Sequence, residues 1–302
     1  MKEEVKNLIQ SVVNNNFAEA KKHCRIIVEQ DKTQKDARFC DNILNKLLTQ
    51  GNMIELPYNI QGLIAAEDVE ANFNEKRYYI SEREKDVIQK ITTMTSTAGK
   101  LQDIGIRYLN STLLYGKSGT GKTLFAKYIA YKFKLPFYYI NFSHTIDSYL
   151  GGTGKNLHKI FDFVKGQKCV FMLDEVDSIG VKRGDSKEVG EINRIVIGLM
   201  QELDQIGNDS IIIAASNRLD ILDEALRRRF SLEHEVKMFS ADELMRMINL
   251  LLDDIEMFVD PQRLEQYVVK CEKKGMAQGV VMNDIIRQIA KAIECDTRTI
   301  LL

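Results

Sequence analysis

The chain has 302 residues, 44% hydrophobic and 28% charged, which is the balance of a globular protein large enough for a sizeable core. A formal net charge of −1 provides no global field to hold nucleic acid or an anionic membrane, so either partner would need a local basic patch. No apolar stretch is long enough to span a bilayer and the N-terminal MKEEVKNLIQ lacks a signal-peptide core; five scattered cysteines without C-x-x-C spacing read as reduced thiols of a cytoplasmic protein, not a metal or disulfide framework, and none of the four histidines pairs at ligand spacing.

Residues 1–50 carry apolar positions at helical spacing in VKNLIQSVV, FAEAKKHCRIIVEQ and ARFCDNILNKLL, broken at Asn14–Asn16 and again at 31–34. Three short helices packed as a small bundle fit this pattern. Residues 51–76, with Gly51, Pro57 and Gly62 and no period, read as a connector. From Arg77 the pattern is helical again through SEREKDVIQKITTM, where Ser81 and Glu84 form a candidate capping box. From Ser111 onward the apolar runs STLLY, PFYYIN, CVFMLD, IIIAAS and LEHEVKMF alternate with helical stretches near 122–133, 154–166 and 188–206. Strands this apolar, separated by helices, predict a parallel five-stranded sheet covered on both faces. After 240 the chain is helical throughout. The expected layout is an N-terminal helical region, an α/β core over 77–239 and a helical C-terminal part over 240–302.

The most specific signal is GKSGTGKT, residues 116–123, between the first apolar run and a helix. Gly116, Gly119 and Gly121 allow the backbone of Lys117, Ser118 and Thr120 to turn N–H groups inward around phosphate oxygens. The helix start adds its partial positive charge. Lys122 reaches the β and γ phosphates, and the Thr123 hydroxyl suits Mg²⁺. Strand, loop and helix in this order imply a nucleoside triphosphate with magnesium.

The run CVFMLDEVDSIG ends a strand in Asp174-Glu175. Adjacent carboxylates there are costly unless used or paired. Asp174 would join Thr123 in holding Mg²⁺, and Glu175 would polarise the attacking water. Asp177 reads either as a spare acid or as the cap of the next turn. Further on, IIIAAS ends at Asn217, placed either to sense the γ phosphate or to make a simple turn. Arg227, Arg228 and Arg229 then stand together. They are either a basic helix end favoured by the helix dipole or guanidinium groups offered to a neighbour's γ phosphate.

The phosphate loop, the acidic pair, Asn217 and the LDEALRRRF run come in the order and spacing of the AAA family of ATPases, which residues 77–295 resemble, the single-ring katanin and spastin branch most of all. The resemblance implies ATP hydrolysis and a homo-oligomer, a hexamer, with its sites at subunit interfaces. It makes the helices after 240 a lid, Asn217 a sensor, and Arg228 and Arg229 arginine fingers. It also places Tyr149-Leu150-Gly151 on a pore-facing loop that grips a protein substrate, with the charged stretch 181–191 as a second loop. Two departures stand out: Lys117-Ser118 replaces a pair of prolines, and GMAQGVVMNDIIRQIA replaces the usual Ser-Gly-Ala-Asp run of the lid. The second leaves Gly279 and Asn283 without the family's role.

Two functions follow. One is a ring ATPase that unfolds, translocates or remodels a protein recruited by the N-terminal helices. The other is an ATP-dependent assembly switch or scaffold that regulates a partner, such as a protease, without threading it. A nucleic-acid motor is disfavoured by the charge balance.

Overall fold

The computed structural model describes residues 3–13, 17–30, 56–106, 108–143, 153–179, 187–207 and 209–302. Helices α1 (Glu3–Val13) and α2 (Phe17–Gln30) pack against each other as an antiparallel pair, with His23 Nδ1 2.7 Å from Glu4 Oε2. The third N-terminal helix expected near 37–48 lies outside the described residues.

A six-stranded sheet organises the core, in the order β1-β3-β4-β5-β2-β6. The strands β2 (Ser111–Tyr115), β3 (Phe137–Asn141), β4 (Val170–Asp174), β5 (Ile211–Ser216) and β6 (Leu232–Glu235) are parallel, and these are the five expected runs. The sixth, β1 (Ala65–Glu67), corrects the expected count. It pairs antiparallel with β3 at the sheet edge and comes from the stretch read as a connector. Three residues are too few to show a period of two, so no pattern marked it.

Side chains alternate between two buried layers, as strands covered on both faces must. Leu113, Phe171, Leu173, Ile212 and Ala214 face one core, with helices α6 (Thr153–Lys165) and α7 (Lys187–Leu203). Leu114, Val170, Met172, Ile211 and Ile213 face the other, with α5 (Lys122–Phe133) and α4 (Glu82–Asp103), reached through the short α3 (Val69–Asn72) and a 3₁₀ turn at Glu75–Arg77. Phe125, Phe161 and Phe171 are fully buried, each contributing about 1.5–3 kcal/mol of transfer free energy. The sequence of α4 ends its own first turn: Ser81 and Glu84 form a complete capping box.

A short helix α8 (Glu224–Arg227) precedes β6, capped by Asp223, which accepts from the N–H groups of Ala225 and Leu226. The chain then enters a second helical core of α9 (Ala241–Asp254), α10 (Pro261–Lys273) and α11 (Gln278–Glu294), closed by a two-stranded parallel pair, β7 (Phe258–Val259) and β8 (Thr299–Ile300). Its interior is Leu244, Ile248, Leu252, Leu264, Val268, Val281 and Ile285. Two ion pairs tie this C-terminal helical part to the chain before and within α4: Arg77 with Asp254 at 2.5 Å and Arg83 with Glu243 at 3.0 Å. No helix among the described residues is long and apolar enough to cross a membrane.

Candidate nucleotide site

The loop between β2 and α5 is shaped by glycine. Gly116 has φ +148°, and a Cβ there would sit 2.4 Å from the Val236 carbonyl oxygen, so no other residue fits without moving the chain that leaves β6. Gly121 is the N-cap of α5 with φ +91° and supplies no side-chain cap. The first N–H groups of α5 are thus left to a ligand, with the positive end of the helix behind them. Thr120 is buried and its hydroxyl donates to Lys117 O at 2.8 Å, closing the loop on itself.

Lys122 is 7% exposed, and its ammonium donates to Gly116 O at 2.8 Å, Lys117 O at 3.0 Å and Asn217 Oδ1 at 2.8 Å. Burial lowers its pKa, against the opposing pull of Asp174, Asp177 and Glu175. An ammonium held this way is poorly solvated and carries charge into the loop. The Thr123 hydroxyl donates to Asp174 Oδ2 at 3.0 Å, while Asp174 Oδ1 accepts from the Glu175 N–H at 2.9 Å. Burial raises the Asp174 carboxyl above its ordinary value, and the Thr123 bond works against that shift. The ends of β2, β4 and β5 thereby bring together two neighbouring hydrogen-bonded pairs, Lys122 with Asn217 and Thr123 with Asp174.

Glu175 lies just past β4 with φ +54°, in the left-handed region that a glutamate rarely adopts. Strand alternation therefore does not set its direction; a strained backbone does. Such strain collects at functional positions. Asp177 is not a helix cap: its Oδ1 accepts the Asn217 N–H at 3.2 Å, linking the turn after β4 to the end of β5. The partners are forty residues apart in sequence, so no local pattern could show the bond.

The three arginines separate. Arg227 is paired with Glu233 through bonds of 2.7 and 3.1 Å. Arg228 has an exposed side chain and contacts Glu224 of its own helix. Arg229 reaches the Ala225 carbonyl at 3.2 Å and Asp204 at 3.4 Å. Arg227 is committed within its own chain, whereas Arg228 is offered outward. Tyr149, Leu150 and Gly151 lie outside the described residues, as does most of the charged stretch that follows α6 and β4.

Two further residues touch the loop, through contacts that no local sequence pattern shows. Gln278, at the first turn of α11 and 4% exposed, donates through Nε2 to Thr120 O at 3.2 Å and to Lys237 O at 2.8 Å. The Gly279 N–H donates to Gly119 O at 2.9 Å. Only the departure from the usual lid run marked this position. Of the histidines, His158 lies with Asp162 and Glu202, but the Lys165 ammonium already bridges both carboxylates at 3.2 and 2.9 Å.

A parallel sheet with a glycine-rich loop and helix start at the end of one strand, and acidic and amide side chains closing on that loop from the next two, defines a phosphate-loop nucleotide-binding protein. Within that class the chain belongs to the AAA family of ATPases. Residues 112–238 match the model of the ATPase family associated with various cellular activities. An uncharacterized AAA family ATPase of Sinorhizobium fredii, y4kL, is 31% identical over 252 residues, covering 79% of this chain and 75% of that protein. The peroxisomal ATPase PEX6 of Candida glabrata is 35% identical over 172 residues, and that of Saccharomyces cerevisiae 36% identical over 152. The chain spans only 17% and 15% of those two proteins.

Proposed function

We propose that the chain binds ATP with Mg²⁺ at residues 116–123, hydrolyses it at a site completed by a second copy, and couples turnover to remodelling a protein substrate in the cytoplasm. The observation that carries this reading is the bond from Lys122 Nζ to Asn217 Oδ1 at 2.8 Å beside that from Thr123 to Asp174 at 3.0 Å: motifs far apart in sequence meet at one point. The hydroxyl and carboxylate oxygens of Thr123 and Asp174 are hard donors of the kind Mg²⁺ takes, so the residues present fit the ion. When bound it neutralises charge between the β and γ phosphates.

In this reading Lys122 and the loop N–H groups hold the phosphates, and Asn217 orients the γ phosphate or the attacking water. Glu175 takes a proton from that water. Arg228 and Arg229 belong to the neighbouring subunit's site, which calls for a closed ring, here a hexamer. A guanidinium supplied in trans is worth large factors in rate because it meets charge only in the transition state. The name of the PEX6 relatives gives them a place at peroxisomes; what they share with this chain is the ATPase segment.

Tyr149, Leu150 and Gly151 form the substrate-gripping loop in the threading version, and are idle in the version where ATP merely drives assembly on a partner. An aromatic ring grips through apolar contact without sequence preference. Tyr149→Ala should leave ATPase activity within a few fold and ring assembly intact, yet abolish unfolding of a protein substrate, with Tyr149→Phe retaining it. Substrate unfolding and ATP turnover measured side by side decide it. Intact unfolding by Tyr149→Ala would reject gripping by this loop, and ATP-dependent assembly on a partner with no unfolding by the unmodified chain would favour the switch.

A further inference from the structure

We propose that Gln278 is a positioning residue: the first turn of lid helix α11 holds the phosphate loop in its anion-binding shape by taking the loop's outward carbonyls. The inference rests on the loop binding a nucleotide, and concerns what keeps it ready to do so.

In a trans peptide the C=O and the N–H point to opposite sides of the same plane. Two consecutive loop planes have their carbonyls held by the lid. Gly119 O accepts from the Gly279 N–H at 2.9 Å, and Thr120 O accepts from Gln278 Nε2 at 3.2 Å. The N–H groups sharing those planes belong to Thr120 and Gly121, and they are turned away from the lid. Neither has an acceptor among the described residues. They are the inward donors a phosphate would meet, and successive N–H groups of this kind make an anion nest.

The clamp is built rather than incidental. The second bond of Gln278, to Lys237 O at 2.8 Å, anchors the side chain to the chain leaving β6. Turning the amide over would set its oxygen against both carbonyls, so the orientation is fixed, and the amide oxygen is left buried without a partner. Gly279 permits the close approach, since a Cβ there would lie 3.2 Å from Gly119 O. On the loop side, a Cβ on Gly119 would lie 3.3 Å from that of Ala277. A leucine or alanine in place of Gln278 could not reach the loop as a donor. Donors fixed before the ligand arrives cost no reorganisation on binding.

Gln278→Met keeps the length and removes the donor. Its affinity for ATP, for inosine triphosphate and for inorganic tripolyphosphate would be measured by calorimetry. We expect ATP and tripolyphosphate to weaken together by about tenfold, the scale of one lost hydrogen bond, with the ratio of ATP to inosine triphosphate unchanged. Unchanged tripolyphosphate affinity overturns the inference. So does a loss confined to ATP with a collapsed ratio, which would assign the amide to the base. If the variant does not fold, the unmodified chain serves: tripolyphosphate alone should slow hydrogen exchange at the Gly279 amide, and unaltered exchange rejects the clamp. An unmodified chain that binds neither ATP nor tripolyphosphate would instead sink the nucleotide reading itself.

Discussion

Helix beginnings in this molecule are of two kinds. Helices α4 and α9 start with complete capping boxes, Ser81 with Glu84 and Ser240 with Glu243, and α10 starts with Asp260 accepting the Arg263 N–H. Helices α5 and α11 start at Gly121 and Ala277 with no side-chain cap at all. The first kind satisfies its own donors within a few residues and needs nothing from outside. The two uncapped starts meet each other: α11 gives its Gly279 N–H to the loop that leads into α5. What remains uncovered is the start of α5, with the buried Lys122 as its first residue. Leaving a side-chain cap off costs roughly 0.5–2 kcal/mol with alanine at the cap, as at Ala277, and about a few tenths with glycine, as at Gly121. Here it leaves donors available to a phosphate, so the absence of a cap marks the site as much as the glycines do.

Breaking the uncapped side should have the larger effects. Lys122→Ala removes the charge proposed to meet the β and γ phosphates, and ATP binding should become undetectable by calorimetry while the fold persists; wild-type affinity would reject the loop assignment. Next comes the proposed site between subunits. Arg228→Ala and Arg229→Ala should keep ATP binding yet lose kcat by a factor on the order of a thousand. Mixing either with Lys122→Ala protein should restore part of the rate, since one partner brings intact loops and the other intact fingers. Absence of recovery in mixed oligomers shown to form would place the arginines elsewhere.

The capped side should respond in stability alone. Ser81→Ala should cost about 1 kcal/mol in denaturant unfolding and leave nucleotide affinity unchanged. Glu84 refines this. Burial raises its carboxyl pKa, with the Ser81 bonds opposing the shift. The folded chain therefore keeps this proton to higher pH than the unfolded chain, and stability drops as pH rises through the window above the ordinary carboxylate value. Glu84→Gln keeps the capping box and removes the charge. It should raise the unfolding midpoint at neutral pH and flatten that decline; a steeper decline would show the carboxylate to be net stabilising.

The parts legible in sequence were those carried by local pattern. The five parallel strands, the helix at 122–133 and the Ser81 box stand where periodicity and turn chemistry put them, because each is decided within a few residues. The glycine-shaped turn between β2 and α5 was legible because glycine at fixed offsets has few other uses. What could not be read depends on contacts between distant segments. Gln278 meets Thr120 across 158 residues, and Asp177 meets Asn217 across 40. The edge strand Ala65–Glu67 exists because β3 offers it a partner, not because its own residues favour extension. The left-handed Glu175 is likewise a product of its surroundings.

The most direct test of ATP hydrolysis at this site is Glu175→Gln, assayed for ATP affinity and steady-state phosphate release together with Mg²⁺ present. The amide keeps the shape and cannot take a proton from water. ATP should bind as tightly as in the wild type, with turnover lower by at least about a hundredfold and oligomers persisting with ATP bound. Wild-type turnover in the variant would contradict the assignment of Glu175 as the base that activates water.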